Sequence, residues 1–272
     1  MAFDGEQQTL DAVRELHQAC WQNGYRPLEV YSPDALDRDG KPIPSAMPVS
    51  QGDGDAITFL RARDGILAKR IYPDGHIVHY DNASRFDMQR VAVRNLDDVA
   101  IHLAWLIGQP DRAVVRGDIA GGAAVALNQP RRLHPRESEP ATLVEVPRRW
   151  LALDFDAWPD DRRSAAGDLA AAADIARSAL GSAFQKCECL VAATGSHGLK
   201  SGIRVRLWFW LSRKVTSAEL KFWLRDTPVD MAALNAAQLI YVSAPVFVGR
   251  ADPLAIRLLG IPGPQRQVEV PR

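Results

Sequence analysis

The chain has 272 residues, 47% of them hydrophobic, and its 33 lysines and arginines are balanced by 33 aspartates and glutamates. That length fills one large domain or two small ones with a real core, and a net charge of zero argues against a protein that coats nucleic acid non-specifically, while leaving local basic patches open. Three cysteines, Cys20, Cys187 and Cys189, exclude a disulfide framework and a zinc site built from cysteines alone. No apolar run reaches membrane-spanning length, and the opening MAFDGEQQTL has neither the basic start nor the apolar stretch of a secretory signal, so a soluble cytoplasmic protein without a membrane partner is expected.

Residues 6–23 carry Leu10, Val13, Leu16, Ala19 and Cys20 on one helical face, with Gly24 as a stop. Residues 26–31 read as a short strand and 32–55, rich in Pro, Gly, Asp and Ser, as a loop. Short strands follow: AITFLRAR from Ala56, then YPDGHIVHY, a hairpin turning at Pro73-Asp74-Gly75. Residues 96–107 form an amphipathic helix with Asp97 and Asp98 in its first turn, as the helix dipole prefers, and AVVRG (113–117) is a buried strand. Residues 121–140 read as loop with a basic run, RRLHPR. Then come strands at 143–146 and 150–155, an Ala-rich helix over 164–180, a strand at 188–194, the strongly apolar strand IRVRLWFWL (203–211), a short helix at 216–224 and a last strand region at 239–248. Cys187 and Cys189 share one strand face and read as reduced core thiols. His17 and His102 sit within helices and read as surface or core residues.

The segment WLALDFDAW (150–158) poses a chemical problem, because Asp154 and Asp156 stand in an apolar strand and their spacing puts both on one face, with Phe155 on the other. Buried carboxylates need partners. Either they pair with bases, with Arg148 or Arg149 the nearest in sequence, or they hold a cation together. A second feature is the turn TGSHGLKSG (194–202), whose three glycines free backbone N–H groups to point at an anion and whose Ser196, His197 and Lys200 add side-chain donors. Arg204 and Arg206 alternate on the next strand and share its face with Trp208 and Trp210, whose expected role is core packing. A third acid, Asp230, follows the last helix, with Asp226 four residues upstream as its competitor. Three carboxylates make an oxygen set for a hard divalent cation, Mg2+ or Mn2+. Arg116, at the end of AVVRG, and Arg131 and Arg132 in the basic run are candidates for contact with a template backbone; internal ion pairing and a solvated loop are the respective alternatives.

In order and type, LALDFD, GSH and VD resemble the hhhDhD, sxH and hD motifs of the archaeo-eukaryotic primase superfamily, and within it the primase-polymerases of phages and mobile elements. The resemblance is clearest from about residue 150 to 247 and extends back to about 71. It implies an α+β fold in which an RRM-like catalytic sheet of mixed or antiparallel strands packs with an N-terminal α/β module. The implied boundaries are residues 1–60 as a helix and linker of unassigned role, 61–255 as the catalytic domain (module to about 145, core about 146–250), and 256–272 as a Pro- and Gly-rich linker or tail leading into a longer chain. It also implies template-directed nucleotidyl transfer for primer synthesis or extension, with DNA and nucleoside triphosphates as partners and a fused or associated helicase. Asp154, Asp156 and Asp230 would be catalytic metal ligands; Ser196 and His197, with Lys200, Arg204 and Arg206 beside them, would bind the nucleotide. The chain lacks the cysteine-rich zinc module of many members. A metal-dependent nucleotide phosphohydrolase and a non-catalytic DNA-binding initiation module are the competing functions.

Overall fold

A computed structural model describes residues 26–27, 55–137, 139–160 and 167–271. The expected helix over 6–23, with His17 and Cys20, and the loop over 32–54 lie outside the described residues. The main elements are β1 (Asp55–Ala62), β2 (Phe86–Val93), α1 (Leu96–Ile107), β3 (Arg112–Val115), β4 (Val125–Gln129), β5 (Arg148–Trp158), α2 (Leu169–Ser178), β6 (Cys189–Ala193), β7 (Ile203–Val215), α3 (Ser217–Leu224) and β8 (Leu258–Ile261). The protein is α+β, with antiparallel sheets and few helices. No helix among the described residues is long and apolar enough to cross a membrane.

Two five-stranded sheets dominate. In the first, β1 lies at the centre between β3 and β2, Ile240–Tyr241 extends the β3 side, and β4 closes the β2 side. In the second, the order is Arg26–Pro27, β8, β6, β7, β5, with every neighbouring pair antiparallel. The path β5–α2–β6 skips one place in this sheet, and β7 fills it by folding back from β6 through the turn 194–202, giving a split strand-helix-strand unit.

Local chemistry accounts for the helix ends. Asn95 caps α1 by accepting from the Asp98 N–H, with Asp97 and Asp98 in the first turn. Thr216 and Glu219 form a reciprocal capping box at α3, and Asp168 caps α2. The Pro73-Asp74-Gly75 turn forms as its sequence predicts, with Gly75 at φ 84° and Tyr72 and His76 closing the hairpin.

Helix α1 is the filling of a sandwich. Val99, Leu103 and Leu106 pack with Ile57 and Phe59 of β1 on one side and with Trp150, Trp208 and Trp210 of the second sheet on the other. The opposite face of the second sheet carries Leu151, Leu153, Phe155, Val205, Leu207 and Phe209 against α2 and α3. The parity expected for β5 and β7 therefore holds, and the tryptophans pack in the core. His102 is also a core residue, edge-on to Phe59 at 5.4 Å. Cys187 and Cys189 are buried and free, and burial raises both thiol pKa values, that of Cys189 to about 12.

Polar ties also cross between the sheets. Arg148 of β5 bridges to Asp55 of β1 at 3.2 Å and donates to the Arg116 carbonyl at 3.0 Å, and the Trp150 indole donates to the Ala56 carbonyl at 2.8 Å.

Three boundary expectations are corrected. A division at residue 60 cuts β1, the central strand of its sheet. The loop expected over 121–140 contains β4, an exposed edge strand. The described part of the expected tail, residues 256–271, is not free. β8 pairs with β6, and Val268 is fully buried beside Leu211, exchanging hydrogen bonds with Trp210 and Ser212. The segment can carry a strand paired on both sides, by β6 and by Arg26–Pro27, because its prolines, Pro262 and Pro264, fall beyond Leu258–Ile261 and every N–H of β8 is free to enter a ladder.

Candidate functional site

The apolar face shared by β5 and β7 becomes polar at one end. Asp154 lies directly opposite Arg206 in the strand register, and Asp154 Oδ2 accepts from the Arg206 guanidinium at 2.7 Å. One step further along, Arg204 pairs with Asp156. Both acids are ion-paired, but with bases across the sheet rather than with Arg148 or Arg149, which bind Asp55, Asp118 and backbone carbonyls. The strand ends in a bulge: Ala157 has φ 57°, and the pairing with β7 shifts between Phe155 and Trp158. Gly202 fits against that bulge at φ +78°, where an added Cβ would lie 2.9 Å from the Ala157 carbonyl carbon.

Asp230 arrives from the far side of α3. Its N–H donates to the Asp154 carbonyl at 3.1 Å, and its carboxylate caps the 3-10 turn Met231–Leu234 by accepting from Ala232 at 2.8 Å. Asp154, Asp156 and Asp230 line one open cavity of about 230 Å³. Asp226 is exposed beside Arg225 and is not among the lining residues.

The Gly-rich turn joins β6 to β7 above this cavity. Thr194 closes it, its N–H and hydroxyl both donating to the Arg204 carbonyl at 2.9 Å. His197 is buried, and its Nδ1 accepts from the Arg204 N–H at 3.2 Å. Ser196 is buried and accepts a 2.7 Å hydrogen bond from the Lys69 ammonium. Gly195 makes room for that lysine: a Cβ there would lie 3.2 Å from Lys69 Cδ. Lys200 is exposed at the rim.

Lys69, Tyr80 and Tyr241 also line the cavity, and sequence reasoning does not find them. Lys69 precedes the two-residue strand Arg70–Ile71, and its carbonyl accepts from Val246 at 2.8 Å, a pairing no local pattern announces. Burial lowers the Lys69 pKa, and neighbouring Lys200 lowers it further, against the opposing pull of Asp156. The rings of Tyr80 and Tyr241 stack 3.6 Å apart and nearly parallel, and burial pushes the Tyr80 hydroxyl up to about 12.

The template candidates fare differently. Arg116 is a core residue: its guanidinium donates to the Trp150 and Val215 carbonyls at 2.6 and 2.8 Å, and burial lowers its pKa to about 10. It offers nothing to a template. Arg132 is held by Glu139 at 2.6 Å. Arg131 donates to the Ala237 carbonyl, one residue before the cavity-lining Gln238.

Among the described residues, no three His, Cys, Asp or Glu side chains are grouped closely enough to hold a metal ion. The donor set nevertheless fits a hard divalent cation in its chemistry: three carboxylates face one cavity, and Asp154 Oδ1 is buried without a hydrogen-bond partner. The fold and this cavity define an α+β protein with an acid- and base-lined cleft at the edge between two packed sheets. Comparison with protein-family models, curated proteins and solved structures returned no match to this chain.

Proposed function

We propose that the protein is a metal-dependent nucleotidyltransferase of the primase-polymerase type, acting on a DNA template with nucleoside triphosphates. The observation that carries this reading is the convergence of Asp154, Asp156 and Asp230, distant in sequence, on a cavity that Lys69 and Arg206 also line. The split strand-helix-strand unit of the second sheet supports the RRM-like arrangement, although β8 pairs beside β6 rather than beside β5. A bound Mg2+ or Mn2+ would be held by the three aspartates, and it would neutralise phosphate charge and acidify the attacking hydroxyl. Lys69 and the guanidinium groups of Arg204 and Arg206 would orient the triphosphate and meet charge developing on the α-phosphate. Ser196 holds Lys69 toward the cavity, and the His197 contact to the Arg204 backbone fixes the turn.

The test is extension of a labelled primer-template with deoxynucleotides in Mg2+ or Mn2+, with a primer-free arm for dinucleotide formation. Product that disappears in Asp154→Ala supports the proposal. Template-independent release of phosphate would identify a phosphohydrolase instead. The ion pairing of Asp154 and Asp156 favours a second reading, a non-catalytic DNA-binding module; DNA binding without product in either assay, retained in Asp154→Ala, would establish it.

A further inference from the structure

The two acids of β5 and the two arginines of β7 pair one to one, and they are unequally exposed. The side chains of Asp154 and Asp156 are 21% and 76% exposed, whereas those of Arg206 and Arg204 are 9% and 15% exposed. The carboxylates therefore reach into the cavity, with the guanidinium groups set behind them. Each arginine is anchored by its own backbone acceptor, Arg206 on the Tyr241 carbonyl at 2.5 Å and Arg204 on the Ser201 carbonyl at 3.3 Å. The Arg206 Nε–H is buried and has no partner, so this guanidinium has donor capacity left. With Lys69 and the rim residue Lys200 counted, four bases surround the three acids, so the cluster carries no net negative charge before any ligand arrives.

A bare divalent cation entering this cleft competes with guanidinium groups for the same oxygens and meets their positive charge at close range. Guanidinium binds phosphate with the same forked geometry as carboxylate. A polyphosphate can therefore draw the arginines away and leave Asp154 and Asp156 open. We propose that Arg204 and Arg206 are internal counter-ions that keep the acid pair closed to bare divalent cations and release it only when a polyphosphate arrives. Cation and polyphosphate then bind with positive linkage, each raising the affinity for the other. This inference rests on the nucleotidyl-transfer reading.

The experiment titrates Mn2+ into the protein without nucleotide and follows free Mn2+ by electron paramagnetic resonance. Wild type is expected to bind weakly. R204Q/R206Q is expected to bind at least about tenfold more tightly, the order expected from removing two partly buried ion pairs. R204K/R206K, which retains both charges, should stay near wild type, and adding Asp154→Asn to the glutamine variant should abolish the gain. If the double variant is poorly folded by circular dichroism, R204Q alone gives a smaller gain in the same direction. Wild type binding Mn2+ as tightly as R204Q/R206Q overturns the counter-ion role. If Mn2+ binding does not improve in the variants while wild type extends primers, the role is again overturned and the catalytic reading survives. Absence of Mn2+ binding in every variant, together with absence of primer extension, overturns both.

Discussion

Arg148 is the sharpest test of how the two halves hold together. Its side chain is 3% exposed and that of its partner Asp55 is 1% exposed, and the ion pair joins β5 to β1 at 3.2 Å. The same guanidinium reaches Asp118 at 3.3 Å and donates to the carbonyls of Arg116 and Gly117. Arg148→Met keeps most of the apolar volume but leaves the Asp55 carboxylate buried, with only the Ala56 and Arg149 N–H groups as donors. Breaking one side of a buried pair costs about 3–5 kcal/mol. Asp55→Asn preserves an acceptor and leaves Arg148 its carbonyls, so about 1–3 kcal/mol is expected. If the pair is the source of both effects, the double variant should lose about 1–3 kcal/mol less than the sum of the singles. The assay is urea unfolding of all four proteins followed by tryptophan fluorescence, which reports directly because Trp150 donates to the Ala56 carbonyl across the same junction. Additivity within about 0.5 kcal/mol, or a cost for Arg148→Met below about 1 kcal/mol, would refute the argument.

His102 is buried and its pKa is lowered by that burial from 6.5 to about 4. The unfolded chain therefore binds a proton between these values that the folded chain refuses, so stability is full above pH 6.5 and falls as pH drops toward 4, by up to about 3 kcal/mol; His102→Gln should flatten that part of the stability-pH curve relative to wild type. Gly202→Ala combines a positive φ with a 2.9 Å backbone clash and should destabilise by roughly 2 kcal/mol or more, visible as a lower melting temperature, together with reduced primer extension because the bulge beside Asp156 must shift. Ending the chain at Ile256 strips β8 from β6 and exposes Leu190 and Val191; rapid proteolysis and loss of near-ultraviolet dichroism are expected, whereas an unchanged melting profile would mean that β8 is dispensable. On the proposed function, Lys69→Met should weaken binding of a fluorescent triphosphate by roughly tenfold while Lys69→Arg keeps most of it; equal affinity in the Lys69→Met variant and the wild type would remove Lys69 from the site.

Much of the fold is legible because its signals are local. The sequence marks helix α1 over its observed span, since the paired aspartates Asp97 and Asp98 suit its first turn and its apolar spacing is regular. The face shared by Asp154 and Asp156, and by Arg204 and Arg206, follows from strand alternation alone. What alternation cannot supply is register. It says which residues share a face, not that Asp154 stands opposite Arg206, and so Arg148 and Arg149 look like the natural partners of the acids. Lys69, Tyr80 and Tyr241 escape for a related reason. They flank or occupy very short strands, and their meeting depends on Val246–Phe247 pairing with Arg70–Ile71, a contact between residues remote in sequence. Strand β4 escapes because its side chains are mostly exposed and carry no apolar alternation to read. Arg116 shows the converse error: a lone arginine at a strand end reads as a ligand-binding group, while here its donors satisfy carbonyls inside the core.

The route of the chain after α3 has a consequence for how such a protein could be divided or recombined. Ile240–Tyr241 joins the first sheet beside β3, Val246–Phe247 runs alongside Arg70–Ile71, and only then does the backbone return to the second sheet as β8. The halves are interlaced. No single cut yields two cassettes that each keep all their strands, and grafting one half onto a foreign partner would require exchanging at least two separate stretches of polypeptide at once.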